Sequence, residues 1–259
     1  MFSKIICVLL FHSRNYDTMF FDVSLLHLHF IKPEGSAFFM KNFIKKYRHA
    51  WLILAYLPIY LLWFFLLEQH VTEDYYIIES SLDAYIPFNE YFIVPYLLWF
   101  PFIAFSVLYF IFRDKKEYYR LCGVLISGMT VFLLVSTVFP NGLALRPSLE
   151  ALGRENVFID LTAALHKADT STNVCPSIHV YNSLAVCLAV LTSVHLKGKH
   201  LVKAGTVVMT VLICMSTVYL KQHSVIDVFW AFAMLAVFAP LFYVRRVPKN
   251  EQRTESLSQ

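Results

Sequence analysis

Ser216-Thr217-Val218-Tyr219-Leu220-Lys221-Gln222-His223-Ser224-Val225-Ile226-Asp227 is a polar interruption between two long apolar runs, residues 204–219 and 225–244. If the second run is helical, His223 and Asp227 lie four residues apart on one face, with Cβ atoms about 5–6 Å from each other. The carboxylate can then take the proton of one imidazole nitrogen and leave the other nitrogen free. An ionisable pair at the start of a membrane-length helix is costly to keep and points to function. The stretch therefore reads as half of an active site.

The rest of the chain agrees with a membrane setting. Of 259 residues, 58% are hydrophobic and only 15% are charged, and the mean hydropathy is +0.58. Such a composition belongs to membrane proteins before any motif is considered. Six apolar runs approach the roughly 20 residues that a bilayer-crossing helix needs: 51–67, 92–112, 121–139, 176–196, 201–220 and 225–244. The expected fold is all-α and integral to the membrane, with six transmembrane helices. The fifth run is the weakest, because Lys203 must snorkel at its start.

Charge placement sets the expected orientation. The net charge of +4 comes from Lys and Arg gathered at 41–48, 113–120, 197–203 and 245–253, whereas the segment 68–91 holds six acidic residues and no Lys or Arg. A positive-inside pattern explains that distribution better than a nucleic-acid patch. Both termini are expected in the cytoplasm of a multi-pass cell-membrane protein. The acidic segment and residues 140–175 then face outward, together with the site. In the outer loop between spans three and four, Val157, Phe158, Leu161, Ala164 and Leu165 follow helical spacing, so a short amphipathic helix is expected there.

Residues 1–39 read as an N-terminal extension, because Met40-Lys41-Asn42-Phe43-Ile44-Lys45-Lys46 resembles the basic start of a membrane protein. Residues 40–247 form the six-span domain, and 248–259 a polar cytoplasmic tail. The five cysteines show no CxxC or zinc-like spacing, and inside apolar runs they act as small hydrophobes.

Two further pieces fall on the same membrane face as His223. Cys175-Pro176-Ser177-Ile178-His179 opens the fourth run; Thr172 or Asn173 can cap that helix, with Pro176 in its first turn. The free amides around Ser177 and Ile178 offer an anion site, and His179 projects from the same turn. Arg146-Pro147 follows the third run and brings a forked donor suited to phosphate oxygens. Two imidazoles, a carboxylate and an anion cradle suit phosphoryl transfer: one histidine attacks phosphorus and the other protonates the leaving oxygen.

These residues resemble the type 2 phosphatidic acid phosphatase superfamily. Pro176-Ser177-Ile178-His179 is similar to its Pro-Ser-Gly-His element. Ser216, His223 and Asp227 have the spacing of its Ser-Arg-x5-His-x3-Asp element, and Arg146-Pro147 resembles the end of its Lys-x6-Arg-Pro element. The resemblance implies a six-helix phosphatase acting on a lipid phosphate, with His223 as nucleophile, Asp227 orienting it and His179 as acid and base. It implies no metal and no cofactor, and membrane lipids as the surroundings. Arg146, Ser177, Ile178 and Lys221 are the expected phosphate-binding set. Lys221 enters because Phe139, Thr217 and Ile178 stand where the family has lysine, arginine and glycine. That reduced pattern is similar to the inositol phosphorylceramide synthase branch, whose members move a phospho-headgroup to a lipid alcohol.

Other readings fit the same residues. His179, His223 and Asp227 could be three ligands of a catalytic zinc ion. A transporter or non-catalytic scaffold could use them as a proton relay or packing network.

Overall fold

The computed structural model describes residues 41–71 and 74–244. The extension at 1–39, the start at Met40 and the tail 248–259 lie outside the described residues. After a helical stretch over residues 41–46 come α1 (Trp51–His70), α2 (Ile93–Arg113), α3 (Lys115–Val138), α4 (Val157–Ala168), α5 (Ile178–Thr192), α6 (His200–Tyr219) and α7 (Val225–Tyr243). Two short strands, β1 (Tyr76–Ile77) and β2 (Asn141–Gly142), pair in parallel.

Five helical segments are long and apolar enough to cross a membrane: Arg48–His70, Glu90–Arg113, Lys115–Val138, His200–Tyr219 and Val225–Tyr243. Their outer faces expose large apolar side chains such as Leu54, Leu62, Phe105, Val208, Phe229 and Leu241. An apolar exterior of that extent points to a membrane protein.

The run at 176–196 departs from expectation. Only Ile178–Thr192 is helical, 15 residues in all, or about 22 Å of helix against a hydrocarbon core of about 30 Å. Its helix starts after Pro176, with Ser177 and not Thr172 or Asn173 as the cap: the Ser177 hydroxyl accepts from the Val180 amide. Its other end is stopped by partners from neighbouring helices. Glu117 accepts from the Ser193 hydroxyl at 2.7 Å and the Val194 amide at 2.8 Å. Lys203, expected to snorkel, donates to the Leu191 carbonyl at 2.7 Å.

Helix α5 is also the axle of the bundle. It packs on α2, α3, α6 and α7, and buries Val180, Tyr181, Ala185, Val186 and Ala189 within the main core. Gly128 of α3 lies directly under the Tyr181 ring, where a Cβ would collide; the Tyr181 hydroxyl reaches on to the Val124 carbonyl at 2.8 Å. This close approach lets α3 and α5 pack almost backbone to side chain, as small residues do between helices in lipid.

The two ends of the bundle have different chemistry. At one, His49 bonds the Ile111 carbonyl at 2.9 Å and His195 meets Asp114 at 3.2 Å, among the basic segments 41–48, 113–120 and 197–203. At the other, segment 74–92 meets residues 140–175 and the α6–α7 link. There the Asn141 side chain accepts from the Val174 and Cys175 amides at 3.0 and 2.8 Å.

Helix α4 forms at that second end, capped by Asn156, whose carbonyl oxygen accepts from the Phe158 and Ile159 amides at 2.9 and 3.0 Å. It lies against α2. Its buried side is Ile159, Thr162 and Leu165, with Phe158 and Leu161 partly covered and Val157 exposed. The face is turned slightly from the expected stripe, toward the side that packs on α2.

Candidate active site

The three distant pieces of sequence do meet. Helix α6 ends in a tight reversal at Lys221, whose φ of 56° is left-handed, and the amides of Gln222 and His223 both return to the Thr217 carbonyl at 2.9 and 3.0 Å. Ser224 then caps α7 in a capping box: its hydroxyl accepts from the Ile226 amide, and its own amide donates to Asp227 at 2.9 Å. The Asp227 carbonyl accepts from the Ser177 amide at 3.3 Å, which ties the start of α5 to the start of α7. That tie sets His179 beside His223.

His223 Nδ1 lies 3.3 Å from Asp227 Oδ2, and His223 Nε2 lies 3.4 Å from His179 Nδ1. All three residues are buried. Against an anchored carboxylate the proton belongs on His223 Nδ1, which leaves the Nε2 lone pair toward His179. The His179 ring packs against Tyr96 and Trp99, with centroids 4.7 and 4.4 Å away. Asp227 serves two purposes, as helix cap and as histidine partner.

Both histidines line a cleft of about 70 Å³. One wall is aromatic, with Tyr60 and Phe64 from α1, Tyr96 and Trp99 from α2, and Phe132 from α3. Another is polar and includes Arg146, Asp169, Asn173 and Gln222. Arg146 donates to the Asp169 and Thr170 carbonyls, each at 2.8 Å, and to Gln222 Oε1 at 2.6 Å. Its three acceptors are all uncharged.

Five residues on that cleft hold a buried polar atom with no hydrogen-bond partner among the described residues: Tyr60 Oη, Trp99 Nε1, Arg146 Nε, Asn173 Oδ1 and His179 Nε2. Buried polar atoms are nearly always satisfied. A concentration of unsatisfied ones around one cavity marks a place for a polar ligand.

The structure divides the expected phosphate-binding set. Arg146 and Ile178 line the cleft, but Ser177 and Lys221 do not. Ser177 is consumed by its capping bond and by its amide bond to Asp227, which leaves the amides of Ile178 and His179 as the first-turn donors without helical acceptors. The Lys221 ammonium turns away and donates to the Asp83 carbonyl at 2.6 Å. Thr217 is buried and bonds back to the Cys214 carbonyl at 2.8 Å, and Phe139 stacks on Tyr76 with centroids 4.4 Å apart. Neither supplies a substitute for a missing cation.

Asp169, Gln222, Tyr60, Tyr96 and Trp99 enter the site unannounced. Gln222 could have been suspected only from its place beside His223. Asp169 is partly buried, and burial raises its carboxyl to about 6; the Glu68 charge acts in the same sense, while Arg146 and His223 oppose it. Beside it, burial and then the Arg146 charge push His166 down to about 4.

Asp169 predicts a pH-dependent result. Near pH 7.5 its carboxylate is ionised and repels an anion in the cleft; below about pH 5 it is protonated and does not. Asp169→Asn should therefore tighten binding of sulfate, whose own charge is constant over this range, by roughly fivefold at pH 7.5, about 1 kcal/mol. The gap between variant and wild type should close as pH falls to 5. A gap independent of pH would assign the effect to packing instead.

Among the described residues no group of three or more His, Cys, Asp or Glu side chains is placed to hold a metal ion. The two nitrogens of His223 face Asp227 and His179, an arrangement for moving protons. No protein-family model matches the chain, and neither curated proteins nor solved structures give a match.

Proposed function

We propose that the chain is a six-span membrane enzyme that cleaves or transfers a phosphate of a lipid through a phosphohistidine on His223, as in the type 2 phosphatidic acid phosphatases that its motifs resemble. One observation carries this reading: an aspartate-paired histidine and a second histidine open onto one cleft with an arginine. Helix α5, sheathed by its neighbours, would be the sixth span. The basic end of the bundle would lie in the cytoplasm and the cleft near the outer face.

The chemistry follows from the atoms present. A phosphate entering the cleft separates the two rings, with Arg146 and the Ile178 and His179 amides on its non-bridging oxygens. His223 Nε2 attacks phosphorus while the bond to the leaving oxygen breaks; His179, which has taken up a proton on Nε2 with the substrate and is an imidazolium, gives that oxygen its Nδ1 proton and is left neutral. The imidazolium formed on His223 is stabilised through Nδ1 by Asp227. In the return step an acceptor hydroxyl gives its proton to His179 Nδ1 and attacks phosphorus, and Nε2 departs. A lipid tail would run along the aromatic wall between α1 and α2.

A second reading, transfer of a phospho-headgroup to a lipid alcohol, has an observation of its own. The cleft holds one arginine beside an acid, Asp169, and the positions of Phe139 and Thr217 add no cation. One positive charge balances a singly charged phosphodiester better than a doubly charged phosphomonoester. The test is turnover by purified protein of a lipid phosphomonoester, a lipid diphosphate and a phosphodiester phospholipid, each with and without an added lipid alcohol. Turnover that needs the alcohol selects transfer; release of free phosphate selects hydrolysis. Loss of activity to a chelator, with recovery on adding zinc, would favour a metal enzyme. Absence of turnover throughout would leave a scaffold or transporter.

A further inference from the structure

Segment 74–92, between α1 and α2, reaches across the mouth of the bundle and grips the turn that carries His223. Asp83 stands in a short helical turn, Ser81–Tyr85, and is 2% exposed. Its Oδ1 accepts from the Val225 amide at 2.8 Å, and its Oδ2 from the Ser224 hydroxyl at 2.6 Å and the Ser80 amide at 2.7 Å. Its backbone carbonyl accepts from the Lys221 ammonium. One residue thus holds positions 221, 224 and 225, on both sides of His223.

The grip is unusual for a helix start. The first amide of α7 would ordinarily turn to water, since the helix offers it no acceptor; here it meets a buried carboxylate from another element, reinforced by the helix dipole. The capping box of Ser224 and Asp227 already suffices to start the helix. The extra clasp has a different consequence: it fixes the turn whose Lys221 backbone sits in a region that side-chain-bearing residues avoid. With both flanks held, His223 keeps its Nδ1 toward Asp227 and its Nε2 toward His179.

We infer that Asp83 is a positioning residue, the element that aims His223 at the cleft; the inference rests on the phosphohistidine reading above. Its place in the sequence gives no hint of this, 141 residues from Ser224.

Two variants test it, Asp83→Asn and Val225→Pro, in the full chain reconstituted in lipid nanodiscs. Asparagine turns an acceptor into a donor facing the clasp. Proline at the first helical position suits the helix but deletes only the amide that Asp83 holds. The readouts are steady-state kinetics and the nitrogen-15 imidazole signals of His223, assigned by their loss in His223→Gln. The charged and titratable groups facing that ring are Asp227 from α7, His179 from α5, and Arg146 and Asp169 from the loops, all unchanged in both variants.

The expected result is a kcat 10- to 100-fold lower with KM within twofold, and a His223 ring no longer held in one tautomer. Wild-type kcat and unchanged imidazole signals in the folded variants would overturn the inference, as would lost turnover with unchanged signals. If Asp83→Asn does not fold, Val225→Pro decides. If wild-type protein turns over no lipid phosphate, the proposed function fails, and the imidazole signals still decide whether Asp83 aims the ring.

Discussion

If His223 is the nucleophile proposed above, His223→Gln should lower kcat by at least about 10⁴-fold while the protein remains folded, because removing the group that forms the covalent bond leaves only binding and electrostatics. Glutamine keeps much of the volume of the ring and leaves the capping box at Ser224 and Asp227 intact, so α7 still starts where it does. The substrate should still bind, since Arg146 and the Ile178 and His179 amides are untouched; a fluorescent lipid phosphate should bind the variant within a few-fold of wild type. The check is turnover alongside thermal unfolding of the same preparation. Residual activity above a hundredth of wild type would place the nucleophile elsewhere.

Arg146→Met should be nearly as severe, reducing kcat/KM by about 10²- to 10³-fold, the usual cost of removing a charged donor from a developing oxyanion. The arginine is also a brace: it joins the carbonyls of residues 169 and 170 to Gln222 across the cleft. Methionine fills the channel of the side chain but makes none of those bonds. Arg146→Lys separates the two functions. Lysine restores the charge without the planar fork, so it should recover binding of sulfate more than it recovers kcat. A lysine variant as active as wild type would mean that charge alone matters.

The sequence reading succeeded where the signal was local. Apolar runs with basic flanks located the five long spans and, through a 3.6-residue stripe, helix α4. The spacing of His223 and Asp227 predicted their pairing, although His223 precedes the helix, which starts at Val225 after its Ser224 cap, and membrane parity predicted that residues 146, 179 and 223 would share one end of the bundle. It missed what depends on tertiary surroundings. A hydropathy window responds alike to a helix facing lipid and to one wrapped in protein, so it could not see that α5 stops at Thr192, where Glu117 and Lys203 take over its backbone groups.

The phosphate set shows the same limit. Ser177 and Lys221 stand two residues before His179 and His223 in the chain, yet both are spent on fixing turns, one on α5 and one on the grip of Asp83. Asp169 and Gln222 face the cleft because Arg146 gathers them there. Nothing in the run of residues around 169 distinguishes it from other loop acids. Asp83 was visible only as one of six acids in a segment free of Lys and Arg, and it acts through residues 138 to 142 positions away.

The most direct test traps the covalent intermediate. Purified full-length protein is mixed with a phosphorus-32-labelled lipid phosphate, quenched with alkali within milliseconds, and digested. The account predicts an acid-labile, base-stable phosphohistidine on the peptide that contains residue 223, absent from His223→Gln and present, though slower to form, in His179→Gln. Label on another residue, or turnover with no labelled enzyme at any time, would contradict it.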